Sequence, residues 1–202
     1  MAGFALLYVG HVDAAGRAGD FLCRLLSIQP EPKTVLYTMY DLREQRLITT
    51  FPQHLAPAFA VDSRELRQYY FQVGIAAAFL AKLFEATGDE RYLATAKAYL
   101  DFIEGCREDK FATPQSGKLA WGAAYVSRLT HEPRYREIAE EVVRYLCDSQ
   151  DPVGCWCRVS DPAGFPAMMD ATNEFAGILA ESVACGIGPV LEQAQGLEWR
   201  NA

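Results

Sequence analysis

The sequence predicts an all-α fold made of helical hairpins, and three observations support this prediction. The segment Thr87–Tyr92 recurs as Thr130–Tyr135 at an offset of 43 residues, and Gly74 falls on Gly117 under the same shift. Apolar helices alternate with amphipathic ones along the chain. Short turns also alternate with long loops. A period in the forties with two helices per unit is typical of helical-hairpin arrays.

The first hairpin is predicted from residues 2–9, a turn at Gly10–Asp13 and a second helix that continues to about Ser27. It is an earlier copy of the repeat at an offset of 78 residues, by which Gly10, Ala18 and Leu22 match Gly88, Ala96 and Leu100. Its first helix is short, so Met1 falls where the middle of a helix is expected. Either the array starts abruptly or residues upstream are missing.

The stretch Gln29–Arg64 is the longest non-helical segment. Four prolines exclude a continuous helix there. Thr34–Tyr40 and Arg46–Phe51 are rich in β-branched and aromatic residues, and Asp41–Gln45 separates them. This pattern predicts a small β-hairpin on the face that carries the long loops. A loop this long in a helical domain is typical of a functional segment or a packing lid.

The remaining helices complete an array of about seven main helices in a single domain over residues 1–202. Asp62-Ser63 offers an N-cap for the first of them. The predicted spans are Arg64–Ala86, Glu90–Gly105, Gly117–Leu129, Pro133–Ser149 and Asp170–Val183. The apolar members are expected inside and the amphipathic ones outside. Long loops lead into the inner helices, and loops gathered on one face of a scaffold commonly carry function.

Composition limits the classes of function. The chain has 202 residues, a net charge of −7 and a pI near 5.0, which argues against nucleic acid or an acidic membrane surface as a partner. No apolar stretch is long enough to span a bilayer. Because no secretory signal is visible, we expect a cytoplasmic protein whose six cysteines are reduced thiols.

The Ala-rich helix, the Thr-Gly-Asp-Glu-Arg-Tyr turn and the amphipathic helix together resemble the α/α-toroid superfamilies. These include six-hairpin glycosidases, sugar 2-epimerases and terpenoid cyclases. A second element is more specific: Tyr145-Leu146 followed by Gln150–Trp156 resembles the Gln-x(2–5)-Gly-x-Trp motif of terpenoid cyclases. The resemblance implies an α/α-toroid in which this motif ties outer helices to their loops and carries no catalysis.

The chain departs from that pattern in two ways. A full toroid has more helices than are predicted here, so the chain could be half of a toroid, completed by a second copy or by a partner chain, or it could be an open arc. The acidic motifs of squalene-type cyclases and of metal-dependent terpene synthases are absent from the sequence. Neither of those two mechanisms can therefore be transferred.

Asp170 and Glu174 are the best candidates for catalysis. They are four residues apart at the predicted start of the last inner helix, so both carboxylates project from one face, with Asn173 beside them. Two such carboxylates can divide acid and base roles. The alternative is structural: Asp170 is an N-cap and Glu174 pairs with a basic residue such as Arg158.

The predicted substrate-binding residues lie near the N-termini of the inner helices and in the loop before the last one. They are Tyr69, Tyr70, Gln72, Lys118, Trp121, Trp156, Arg158 and Asn173. Aromatic side chains with a few polar groups are typical of small-molecule pockets. Aromatic core is the alternative for Tyr69 and Trp121, whereas a buried Lys118 needs a carboxylate partner.

Three classes of function remain open. The first is a metal-independent cyclase or isomerase acting on an apolar, oxygenated small molecule. The second is a sugar-active hydrolase, lyase or epimerase, and the third is a non-catalytic binding or scaffold domain. No metal and no cofactor are expected, because Cys155-Trp156-Cys157 without a second cysteine pair is a poor zinc site. The expected partners are a small-molecule substrate and a second copy or another chain that completes the toroid.

Overall fold

The computed structural model describes residues 2–113, 116–156 and 165–187, and of residues 165–168 it describes the backbone only. Within this part the chain forms eight α-helices and four short strands. The helices are α1 (Ala2–Tyr8), α2 (Val12–Ser27), α3 (Ala56–Phe59), α4 (Phe71–Thr87), α5 (Glu90–Glu104), α6 (Gly117–Thr130), α7 (Pro133–Asp148) and α8 (Phe165–Ala184). The strands are β1 (Val35–Tyr37), β2 (Tyr40–Asp41), β3 (Arg46–Leu47) and β4 (Ala60–Asp62).

The mostly helical fold is confirmed, and each of the seven predicted helices has a counterpart. Two helix starts were predicted wrongly. Helix α4 begins at Phe71 and not at Arg64, because the preceding residues form β4 and a turn in which Arg67 has a φ of 58°. Asp62 caps that turn, its carboxylate accepting from the Arg64 N–H at 2.9 Å. Helix α8 begins at Phe165, so Asp170 lies inside the helix and is not its N-cap.

The strands form two antiparallel pairs instead of one hairpin. β2 pairs with β3, which confirms a small hairpin around residues 41–46. β1 instead pairs with β4, with Leu36 opposite Val61. Leu36 and Val61 are both buried. The two ends of the long loop are therefore held together, a pairing between residues too far apart in sequence for the local pattern to indicate it.

The helices form two layers. The inner layer is a row in the order α1, α4, α6, α8, in which each helix packs against the next. The outer helices α2, α5 and α7 each pack against the inner helix of their own hairpin and against the following one. Helix α4 is buried over most of its surface, which explains its apolar sequence. No helix in the described part of the chain combines the length and hydropathy needed to cross a membrane.

The repeat is visible in the backbone as well as in the sequence. Gly10, Gly88 and His131 follow the inner helices α1, α4 and α6, and all three have positive φ values of 79°, 71° and 57°. This left-handed conformation ends a helix and turns the chain back. Glycine adopts it freely, whereas a side chain at His131 makes it costly.

Inner helices α4 and α6 touch backbone to backbone at two glycines. A Cβ on Gly74 would overlap the carbonyl group of Lys118, and a Cβ on Gly122 would lie 2.5 Å from the Gly74 carbonyl oxygen. Both glycines are buried. The distance between the two helices therefore depends on the absence of side chains at these positions.

We predict that Gly74→Ala lowers the free energy of unfolding by about 2 kcal/mol or more, because the added methyl group forces α4 and α6 apart. Gly177→Ala is the matched control, since a Cβ there meets no atom within 4 Å. It should raise stability by about 0.5–1 kcal/mol through helix propensity. Urea unfolding followed by circular dichroism measures both, and equal effects would contradict the close contact.

We also predict that His131→Gly raises the free energy of unfolding by about 0.5–1 kcal/mol, because it removes the strain of a left-handed non-glycine residue. The control is Thr130→Gly, one position earlier and within α6, which should lower stability by about 1 kcal/mol. Thermal unfolding of the two variants distinguishes backbone strain from a general effect of glycine. Destabilisation by both would contradict the assignment.

Candidate functional site

A groove of about 680 Å³ lies between α1, α6 and α8. Five residues that the sequence singled out line it: Lys118, Trp121, Asp170, Asn173 and Glu174. We refer to it as the α6–α8 groove. The start of α6 supplies the lysine and the indole, and successive turns of α8 supply the carboxylates and the amide. Its volume lies within the range of small-molecule sites.

Lys118 and Glu174 form an ion pair across the groove, with 2.6 Å between Nζ and Oε1. The lysine side chain is only 16% exposed and the glutamate 36%. The ammonium also lies over the ring of Phe71, 5.2 Å from its centroid. A partly buried ammonium loses hydration, and both the carboxylate and the ring compensate for that loss. The cation is thus held at a fixed position facing the groove.

Asp170 lies one turn before Glu174 on the same face of α8 and is exposed. It makes no hydrogen bond or ion pair with any described residue. The structural alternative made Asp170 the N-cap of this helix and Glu174 the partner of a basic residue. The first part is excluded, because the helix begins at Phe165. Glu174 does form an ion pair, but with Lys118. Arg158 lies outside the described residues.

Trp121 forms part of the groove and is partly buried. Phe4 stacks on one face of its indole, with 4.6 Å between ring centroids and 15° between planes. The indole Nε1 is buried without an acceptor in hydrogen-bonding geometry among the described residues. It lies near the Tyr125 hydroxyl, which instead donates to Glu181 Oε2 at 2.5 Å. Burial, and then the Glu181 carboxylate, raise the pKa of Tyr125. The Trp121 N–H faces the Tyr125 hydroxyl, and its proximity lowers the pKa of that tyrosine against the two raising effects.

The predicted residues at the start of α4 do not join this groove. Tyr70 is fully buried and its hydroxyl donates to Asp109 Oδ1 at 3.0 Å. Burial, followed by the Asp109 hydrogen bond, raises the pKa of that tyrosine. The ring of Tyr69 packs on Phe71, with 5.4 Å between centroids. Gln72 lines a separate cavity between α2, β1 and α4.

Trp156 also lies outside the groove, buried beside α8. Its Nε1 donates to the Leu146 carbonyl oxygen at 2.7 Å, and its ring meets Phe175 edge to face at 5.9 Å. Gln150 Nε2 donates to the Gly154 carbonyl at 2.9 Å. These bonds tie the end of α7 to the following loop. That is the structural role which the resemblance to the Gln…Gly-x-Trp motif implies.

Six lining residues of the groove were missed by sequence reasoning: Tyr8, Ile178, Ala180, Ala184, Gly177 and Glu181. The last two could have been found, because they follow Glu174 at the i+3 and i+7 positions of one helix face. Tyr8 could not, since it enters only through the packing of α1 in the inner layer. Among the described residues no group of His, Cys, Asp or Glu side chains has the geometry of a metal site.

Neither a protein-family model, nor a curated protein, nor a solved structure matches this chain significantly. The geometry of the α6–α8 groove therefore carries the functional interpretation.

Proposed function

We propose that the α6–α8 groove is the active site of a metal-independent isomerase or cyclase for an apolar, oxygenated small molecule. The observation that carries the proposal is the Lys118–Glu174 pair, partly buried at 2.6 Å and facing a groove of about 680 Å³. A cation and a carboxylate fixed side by side can together stabilise an oxyanion and transfer a proton.

Lys118 would bind the substrate oxygen, and Trp121 would contact the substrate beside it. The ammonium is held in place by Glu174 and Phe71, so it is preorganised. The Trp121 side chain lines the groove beside the ammonium and would provide an aromatic surface for the ligand. Donors that are fixed before the reaction stabilise developing negative charge more effectively than mobile ones.

Glu174 would act as the base and Asp170 as the exposed acid. Glu174 removes a proton from the carbon next to the carbonyl, and the electron pair moves onto the oxygen beside Lys118. Glu174 then returns the proton to a different carbon of the enolate system. In the alternative route Asp170, protonated from solvent, delivers a proton to the opposite face of the original carbon, and Glu174 releases its own proton to solvent. The substrate is thereby isomerised without any change in oxidation state. The apolar part of the ligand would lie against Tyr8 and Ile178, which also line the groove.

A sugar-active enzyme remains the alternative because Asp170, Glu174 and Glu181 make the groove acidic. The aromatic geometry favours it less. Sugar rings commonly stack on an open indole face, and Phe4 covers one face of Trp121. The groove also offers apolar contacts along α8, which suit a less hydroxylated ligand.

The test follows deuterium uptake, which needs no knowledge of the natural substrate. Tetralone and indanone are suitable probes, because each is an apolar ketone with exchangeable protons next to the carbonyl. In D₂O the wild-type protein should exchange these protons faster than buffer does, as detected by NMR. Glu174→Gln should reduce the catalysed rate by about a hundredfold or more, since it removes the base.

The control for the Glu174 variant is Glu140→Gln, which removes a carboxylate paired with Arg136 at 2.6 Å on α7. It should leave the exchange rate unchanged. Lys118→Met should lose activity while keeping the fold, as checked by circular dichroism. If wild type does not exceed buffer with either ketone but hydrolyses or epimerises a sugar panel, the isomerase proposal fails in favour of the sugar-active alternative.

A binding or scaffold role is favoured by one further observation, the exposed face of α8. Met169 is 59% exposed and Val183 43%, and the exposed Ala176 and Ala180 lie between them on the same face. Since α8 is the last described helix in the inner row, its outward face is where a further inner helix of a toroid would pack. We propose that a second copy of the chain covers this face and extends the array towards a ring.

The prediction for this second role concerns solution mass. Light scattering should show a dimer for the wild type and a monomer for Ala176→Glu, because a carboxylate in an apolar interface is strongly unfavourable. Ala94→Glu places the same substitution on an exposed position of outer helix α5 and should remain a dimer. A wild-type monomer would contradict the proposed self-association.

A further inference from the structure

A second cavity lies between α2, β1 and the start of α4, away from the lining residues of the α6–α8 groove. Its volume is about 210 Å³. Apolar side chains make up most of its wall, among them the buried Leu25, Leu36 and Val73. None of its lining residues carries a charge. It therefore suits a neutral, compact molecule.

The buried polar side-chain atoms in the wall of this cavity have partners in the protein, with one exception among the described residues. The buried Gln29 donates to the Leu25 and Tyr37 carbonyls at 3.0 and 2.9 Å and accepts from the Tyr37 N–H at 2.8 Å. The Thr38 hydroxyl donates to the Ala58 carbonyl at 2.8 Å.

The exception is Gln72. Its Oε1 atom is buried and has no donor among the described residues. A buried acceptor without a partner is costly. A ligand that supplies a donor would remove this cost.

We propose that this cavity is a second binding site, for a small aromatic or alicyclic alcohol whose hydroxyl donates to the Gln72 side-chain amide. The size fits, because an apolar cavity of about 150 Å³ holds benzene and this one is larger. A hydroxyl fits in either orientation of the amide, since it both donates and accepts. A carboxylate or an amine does not fit, because its charge would have no counterion in the wall.

Phe71 connects this site to the α6–α8 groove. Phe71 is one of the lining residues of the cavity, and its ring lies 5.2 Å from the Lys118 ammonium. A molecule in the cavity is therefore adjacent to the residue whose ring supports Lys118.

The test compares p-cresol with toluene, which differ only in the hydroxyl group. Calorimetric titration of the whole chain should give p-cresol at least a tenfold lower Kd than toluene. Chemical-shift mapping should place both ligands at Leu36, Val73 and the Gln72 side-chain amide. Gln72→Leu should bind toluene at least as well and should lose the preference for p-cresol, because the polar partner is gone.

The matched control is Asn173→Leu, which removes an amide from the α6–α8 groove and should retain the p-cresol preference. Equal affinities of wild type for the two ligands, no binding of either, or shifts confined to the region of Lys118 and Trp121 would overturn the proposal. A preference for p-cresol that survives in Gln72→Leu would overturn it as well. Deuterium exchange of ketones in the groove is an independent readout, so failure of one site does not imply failure of the other.

Discussion

The contact between the backbones of α4 and α6 is the constraint on which the rest of this structure depends. Gly74 touches the carbonyl group of Lys118, so the glycine fixes the helix turn from which that lysine projects. Phe71, less than one turn before Gly74, then comes to lie beneath the ammonium. Glu174 reaches the same ammonium from α8, whose position against α6 depends on another glycine, Gly117, packed against Phe175. Close helix packing thus places the cation before any ligand arrives.

Most buried polar side chains in the described part of this molecule form hydrogen bonds that support the fold, and a few have no partner within the protein. Tyr70, Trp156 and Gln29 bind partners within the protein and hold loops to helices. Gln72 Oε1 is buried without a partner among the described residues, and Gln72 is one of the lining residues of a cavity. Native proteins rarely leave buried polar atoms unpaired. An unpaired buried atom of this kind therefore marks the proposed second binding site more clearly than residue type does.

Much of the fold could be predicted because its determinants are local. The repeat fixed the turns at Gly88 and His131, and helical periodicity separated inner from outer helices. The start of α4 and the pairing of β1 with β4 could not be predicted, because contacts between residues distant in sequence override local propensity there. In the site, Asp170 and Glu174 share a face by helix geometry alone. The pairing of Glu174 with Lys118 and the entry of Tyr8 required the tertiary packing of separate hairpins.

The β1–β4 pair has a consequence for how the protein can diversify. Equivalent positions are 78 residues apart between the first and second hairpins, and 43 residues apart between the second and third. The long segment between the first two hairpins therefore behaves as an insertion into a regular array. Because Val35 lies opposite Asp62, the two ends of that insertion meet. Residues between the strands can then be exchanged or shortened without moving α2 or α4. Leu36, Tyr37 and Thr38 lie in or next to β1 and line the Gln72 cavity. Substitutions in the segment bounded by β1 and β4 could therefore change which ligands this cavity prefers while the helical scaffold stays unchanged.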